Sequence, residues 1–188
     1  MKKVILKMQI SLDGVISHEN QWMSFSDDII LDAMDYYNTL DTLIFGSKTY
    51  PYMKDYWTKA EHFSKSPIES TFAKIINNFS KIVLSRSSLD LTWNNSRLIN
   101  YSNNQSFINV INDLKKQSGK NISVESGVGM WHMFLENNLY DELLLYVHPT
   151  IVGEGVKLFN EEHFKANLRL LRSKHTDKGV VILHYEKR

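Results

Sequence analysis

The chain contains no cysteine among its 188 residues. That excludes a disulfide scaffold, thiol chemistry and any zinc site built on thiolate. Its seven histidines show no H-x-x-x-H or H-E-x-x-H spacing, which argues against a histidine-based metal centre. No apolar run approaches the length of a membrane span. Lys2, Lys3 and Lys7 bracket the first apolar stretch too closely for a signal peptide. A cytoplasmic protein with no membrane partner is the expectation. Charge of one sign is also missing: 22 Lys and Arg against 21 Asp and Glu leave a net charge of +1. The basic residues are scattered, so nucleic acid is not an expected partner. Neither standard nucleotide motif is complete. G-V-G at Gly127–Gly129 meets His132 where a dinucleotide fingerprint needs its third glycine, and G-S-K-T at Gly46–Thr49 lacks the spaced first glycine of a P-loop.

The composition is 43% apolar and 23% charged, ordinary for a globular protein, and the length suits one domain spanning residues 1–188. Val4–Ile10 alternates as a first strand. Ser26 is placed to cap a helix from Asp27 to about Asn38, with Asp27 and Asp28 in its first turn. Thr42–Phe45 and Lys81–Leu84 read as strands, and Leu98–Asn100 as a short one. Ser66-Pro67-Ile68-Glu69 is a helix start with serine at N-cap and proline at N1. Ser106–Lys116 and Gly129–Asn137 read as helices, Asn121–Glu125 and Glu142–His148 as strands. Leu168–His175 and Val180–Glu186 form a closing hairpin. Strands and helices alternate and then strands dominate. This predicts an α/β fold, a mostly parallel sheet with helices on both faces and an antiparallel C-terminal hairpin.

Three strand ends carry small, hydroxyl or basic residues: Gly46-Ser47-Lys48-Thr49, Ser85-Arg86-Ser87 and Ser126-Gly127-Val128-Gly129. Glycines at strand ends commonly make turns and nothing more. Three such turns at the ligand-binding edge of a parallel sheet point instead to one extended ligand with several phosphates.

The order of motifs resembles the dihydrofolate-reductase-like fold. It is most similar to the branch related to the C-terminal reductase domain of the bifunctional riboflavin-biosynthesis enzyme. The matching pieces are K-M-Q-I-S-L-D-G at Lys7–Gly14, L-I-F-G-S-K-T-Y at Leu43–Tyr50 and I-V-L-S-R-S at Ile82–Ser87. They continue with I-S-V-E-S-G-V-G at Ile122–Gly129 and the long run from Tyr140 to Phe159. The resemblance implies an NADPH-dependent oxidoreductase acting on a small heterocycle, pterin- or folate-like or 5-amino-6-ribosylaminouracil-like. It implies that Gly46, Ser47, Lys48 and Thr49 hold the pyrophosphate and adenosine side. Ser85, Arg86 and Ser87 would meet the 2′-phosphate, for which a guanidinium fork is well suited. Ser126, Gly127, Val128, Gly129 and Met130 would approach the pyrophosphate and nicotinamide. Ser126 stands where such turns often have the first of two glycines, and it fits with a negative φ. Gln9 and Ile10, through their backbone, and Ile16 would border the nicotinamide. The zinc-deaminase motif of the bifunctional relatives, H-x-E…P-C-x-x-C, is absent.

A carboxylate near the substrate ring is the expected proton relay. Asp27 and Asp28 are candidates, with helix-dipole stabilisation as the alternative role; Asp13 is the third, with an Asx-turn as its alternative. Trp22, Tyr50 and Met53 are candidate substrate-lining residues that serve equally as core, and Trp57 reads as core or interface. His148 reads as a hydrogen-bonded strand terminus. Glu125 is compatible with a nearby phosphate only if strand alternation turns it away. Analogy implies a homodimer, with Leu143–Val147 and the C-terminal hairpin as candidate interface. The alternative function is a non-catalytic nucleotide-binding protein that kept the fold.

Overall fold

Alternation of apolar side chains builds the sheet. A computed structural model describes residues 1–159 and 165–188. In β1 (Val4–Ser11) Val4 and Leu6 face one side and Ile5 the other. In β2 (Leu40–Gly46) Ile44 opposes Leu43 and Phe45, and in β3 (Ser80–Ser85) Ile82 and Leu84 oppose Val83. Strands that are apolar on both faces need a helical layer on each. Helices α1 (Asp27–Tyr37), α2 (Thr49–Phe63) and α3 (Pro67–Asn78) cover one face, with Ile30, Tyr37, Trp57 and Phe72 in its core. Helices α4 (Asn104–Lys116) and α5 (Val128–Glu136) cover the other with Phe107, Ile111, Trp131 and Phe134.

The remaining strands are β4 (Ser96–Asn100), β5 (Asn121–Val124), β6 (Glu142–His148), β7 (Leu168–His175) and β8 (Val181–Lys187). The eight run in the order β4-β3-β2-β5-β1-β6-β8-β7. The first six in sequence pair in parallel, while β8 is antiparallel to β6 and to β7. This is the expected parallel sheet with its antiparallel hairpin.

Capping explains several boundaries. Ser66 Oγ accepts the Glu69 amide at 3.2 Å, and Pro67 follows at N1. Asn103 and Ser106 exchange bonds as a capping box at α4. Ser26 departs from expectation: its side chain makes no cap bond and donates instead to Asp28. Helix α2 has no counterpart among the elements that sequence periodicity predicts. Its inward stripe, Tyr50, Met53, Trp57 and Ala60, has helical spacing, but exposed Tyr52, Tyr56 and Phe63 blur it. Strand β6 is corrected as an interface candidate, because β1 and β8 flank it and Leu143–Leu145 are buried. The edge strands are β4 and β7, and on β7 Leu170 and Leu171 are exposed.

Lys81, fully buried, donates to the carbonyls of Asn77, Phe79 and Asn94 at 2.8–3.0 Å. Burial lowers its pKa to about 8. A cleft of about 360 Å³ opens beside it, between Glu61, Asn77, Thr92 and Trp93. It lies at the amino end of β3, the wrong end of a parallel sheet for a cofactor. Among the described residues no helix is long and apolar enough to cross a membrane, and no cluster of His, Asp and Glu is arranged to hold a metal.

Candidate active site

Sheet order brings the three predicted turns together, because β3, β2 and β5 are neighbours whose carboxyl ends point the same way. Two hydrogen bonds stitch the turns. Ser126 Oγ accepts the Gly46 amide at 2.9 Å, and Thr49 Oγ1 accepts the Gly127 amide at 3.1 Å. A Cβ at Gly46 would stand 3.0 Å from Ser126 Oγ, so only glycine permits this approach without displacement. Ser126 is buried with a negative φ, its hydroxyl engaged with Gly46. The α2 and α5 amino ends converge here. Their first-turn amides, Val128 and Gly129 among them, have no carbonyl within the helix to reach. An added Cβ at Gly129 meets nothing within 4 Å, so the space before α5 is open.

Lys48, Arg86 and Ser87 are exposed along this rim, Ser47 is half-buried, and Met130 packs beneath. Asn100 Nδ2 donates to the carbonyls of Ser85 and Ser87 and braces that turn. The Arg86 guanidinium lies 5.5 Å from the Tyr101 ring centroid, an arrangement that leaves its edge available for an anion. At β1, Ile10 is buried and Ile16 packs on the same core.

The loops over β1 and β6 form one layer. Asp13 accepts from Ser11 Oγ at 2.6 Å, the Val152 amide at 3.1 Å and the Gly153 amide at 2.8 Å. These bonds, Ser11 first, hold its carboxyl well below the usual range. Ile16 and Leu158 add backbone bonds between the two loops. Asp28 accepts from Ser26, the Ile29 amide and the Asp177 amide, and its pKa is lowered, chiefly by Ser26. Exposed Asp27 accepts from Ser66 Oγ at 2.7 Å. Each of the three expected acids is thus tied to another segment. Tyr50 turns into the core, where its hydroxyl accepts the Trp93 amide at 2.8 Å. Trp22 is buried against His148, and Met53 is half-buried on the core.

Lys7, which sequence reading missed, stands on β1 beside Glu125, the residue that follows β5, next to the Leu6–Val124 pair. Lys7 Nζ stands 3.1 Å from Glu125 Oε2, with both side chains almost wholly covered. Ser123 Oγ donates to Glu125 Oε1 at 2.7 Å, and Tyr36 donates to Ser123 at 2.8 Å. Lys7 Nζ also lies 5.3 and 5.7 Å from the Tyr37 and Tyr146 ring centroids. Glu125 therefore points to the α1 face, away from the glycine turn. A buried ion pair is costly to desolvate, so it adds little stability by itself and makes this pair a candidate functional feature. The signal was Lys7 within the mostly apolar β1.

An eight-stranded mostly parallel sheet in this order, with turns converging at its carboxyl edge, defines the dihydrofolate-reductase-like fold. The sequence matches the RibD C-terminal domain over residues 2–182, and the chain belongs to that family. It is 28% identical over 98% of its length to "Uncharacterized protein YyaP" of Bacillus subtilis (strain 168), covering 94% of that protein. A putative riboflavin biosynthesis protein from Shewanella sp. PV-4 superposes with a TM-score of 0.74 at 18% identity, over 99% of each chain. The Thermotoga maritima diaminohydroxyphosphoribosylaminopyrimidine deaminase/5-amino-6-(5-phosphoribosylamino)uracil reductase superposes at 0.69 and 15% identity, over all of this chain and 57% of that one.

Proposed function

We propose that this protein is an NADPH-dependent reductase of a small pterin-, folate- or aminouracil-like heterocycle, working as one domain in a homodimer. The observation that carries the reading is the convergence of two helix amino ends on an open glycine turn, with Arg86 on the flank. The donor set fits the cofactor: backbone amides and hydroxyls suit a pyrophosphate, and a guanidinium suits a 2′-phosphate. Bound NADPH supplies the hydride. In this reading Gly46–Thr49 and Ser126–Met130 hold the pyrophosphate and Ser85–Ser87 the 2′-phosphate. Gln9, Ile10 and Ile16 border the nicotinamide.

For the proton, the buried Lys7–Glu125 pair is favoured over Asp13, Asp27 and Asp28. Asp13 and Asp28 are held ionised by bonds to their own loops, which suits anchoring better than proton delivery. Glu125 is oriented by Ser123 and faces the region under α1, where a heterocycle would lie. The homodimer is supported by the open β7 edge with its exposed leucines.

Titration with NADPH and NADH, followed by tryptophan quenching, tests this. Micromolar NADPH binding is expected, at least tenfold tighter than NADH. Arg86→Ala should weaken NADPH about 10- to 100-fold, the value of one to two charge-assisted bonds, and leave NADH unchanged. No binding of either cofactor by folded protein refutes the reading. Binding without turnover of any heterocycle favours the non-catalytic nucleotide-binding alternative.

A further inference from the structure

His148, the last residue of β6, is fully buried, and its two ring nitrogens are both engaged. The Ser24 amide lies 3.3 Å from Nδ1, and Gln9 Oε1 lies 2.7 Å from Nε2. A backbone amide only donates, so Nδ1 must be the acceptor and the ring proton must sit on Nε2. Nε2–H then donates to Gln9, which fixes the amide with its oxygen toward the histidine. Burial lowers the His148 pKa to about 4 and keeps this neutral tautomer at ordinary pH. The Trp22 ring edge packs 5.4 Å from the imidazole, and Trp22 Nε1 donates to the Ser17 carbonyl.

The consequence falls on the other end of the amide. Gln9 Nε2 has no hydrogen-bond partner among the described residues, and Gln9 is only half-buried. Gln9 shares its face of β1 with Lys7, since both side chains reach partners on the α1 side of β6 and β5. Two residues along a strand separate them by about 7 Å, close to the width of a single heterocyclic ring. The Gln9 amide thus holds an uncommitted N–H donor above the Lys7–Glu125 pair, whose side chains are 11% and 7% exposed.

We infer that Gln9 is a specificity-determining residue, whose amide donates to a ring carbonyl or ring nitrogen of the substrate, and that His148 is the positioning residue that aims it. This rests on the reductase reading and refines it: the preferred substrate carries an acceptor opposite Gln9 and an amino or N–H group toward Glu125. Oxo-amino pyrimidines and pterins have that pattern; an aldehyde or a simple ketone does not. The same imidazole holds Ser24, so the loop before α1 and the recognition amide are set by one side chain.

The test measures binding of 5,6-diaminouracil and of pterin to the full chain saturated with NADP⁺, by calorimetry, with NADPH affinity measured separately. Gln9→Glu keeps the oxygen facing His148 and replaces the donor with an acceptor. It should weaken heterocycle binding at least tenfold, as should Gln9→Leu. His148→Gln places an amide nitrogen near Nε2 and should stay within threefold of the parent. His148→Asn places its polar atoms near Nδ1, keeps the Ser24 bond only, and should fall with Gln9→Leu. His148→Gln should leave NADPH affinity within twofold, and in the Gln9 variants the heterocycle loss at saturating NADP⁺ should exceed any loss of NADPH affinity. A merely structural role would lower cofactor and heterocycle binding together. Unchanged heterocycle binding in both Gln9 variants overturns the inference, as does failure of the parent NADP⁺ complex to bind either heterocycle. Failure of the parent to bind NADPH at all overturns the reductase reading itself.

Discussion

Removing Arg172 should destabilise the protein more than removing the carboxylate it holds. Asp32 on α1 is fully buried, while the Arg172 and Lys174 side chains on β7 are 42% and 48% exposed. Arg172 grips Asp32 with two bonds of 2.9 and 3.1 Å, Lys174 adds one of 3.3 Å, and the Tyr146 hydroxyl adds one of 3.1 Å. Burial alone would raise the Asp32 pKa; the Arg172 and Lys174 bonds outweigh it and bring it below the usual value. In Arg172→Met the carboxylate stays trapped with only Lys174 and Tyr146, at a cost of about 3 kcal/mol, the lower end for a broken buried pair. In Asp32→Asn the two cations turn to water, and the loss is about 1.5 kcal/mol. The double variant has no trapped charge and should cost no more than about 2 kcal/mol, well under the sum of the single losses. Urea unfolding followed by tryptophan emission measures all three. The Arg172→Met deficit should be full near pH 7 and shrink as pH falls below about 4 toward the lowered pKa of Asp32 in the parent fold, where the carboxylate that Arg172 holds takes up its proton. The reasoning fails if Asp32→Asn costs as much as Arg172→Met, or if the two losses add.

His148 makes stability pH-dependent in a defined window. Its folded pKa of about 4 lies below the unfolded value, so as pH falls from about 6.5 the unfolded chain takes a proton that the fold refuses. Stability should drop by about 1.4 kcal/mol per pH unit down to pH 4, and His148→Gln should remove that slope, read from urea midpoints across the range. Gly155 has φ +141°, and a Cβ there would meet Ser17 Oγ at 2.5 Å and Val15 Cγ1 at 2.7 Å. Gly155→Ala should therefore cost about 2 kcal/mol or more and speed proteolysis of the loop after β6; an unchanged thermal midpoint would sink this account. If the β7 edge is the dimer interface, Leu171→Lys should convert a dimer to monomers in sedimentation, while unchanged mass would move the interface elsewhere.

Much of the architecture was legible in the chain because its cause is local. Alternation of Val4, Ile5 and Leu6 needs no tertiary information, nor does the Ser66-Pro67 helix start or the hairpin around Gly179. The three strand-end turns were legible too, since runs of small, hydroxyl and basic residues mark them in sequence, and strand order sets them side by side. Helix α2 was hidden because its exposed aromatics look like a core stripe until one side is known to face solvent.

What the sequence determined by itself was the order of the strands and of every α-helix but α2, the parallel sheet with its terminal hairpin and the three turns. Tertiary structure alone decided what the charged groups do. Asp13 meets the Val152 and Gly153 amides, Asp28 meets the Asp177 amide, and Lys7 meets Glu125 across neighbouring strands. Each partner lies more than a hundred positions away in the chain, and its proximity follows from strand order, which local propensity does not encode. The physical reason is that a backbone element is chosen by neighbours a few residues away, whereas a buried carboxylate takes its role from whichever donor the finished fold brings within 3 Å.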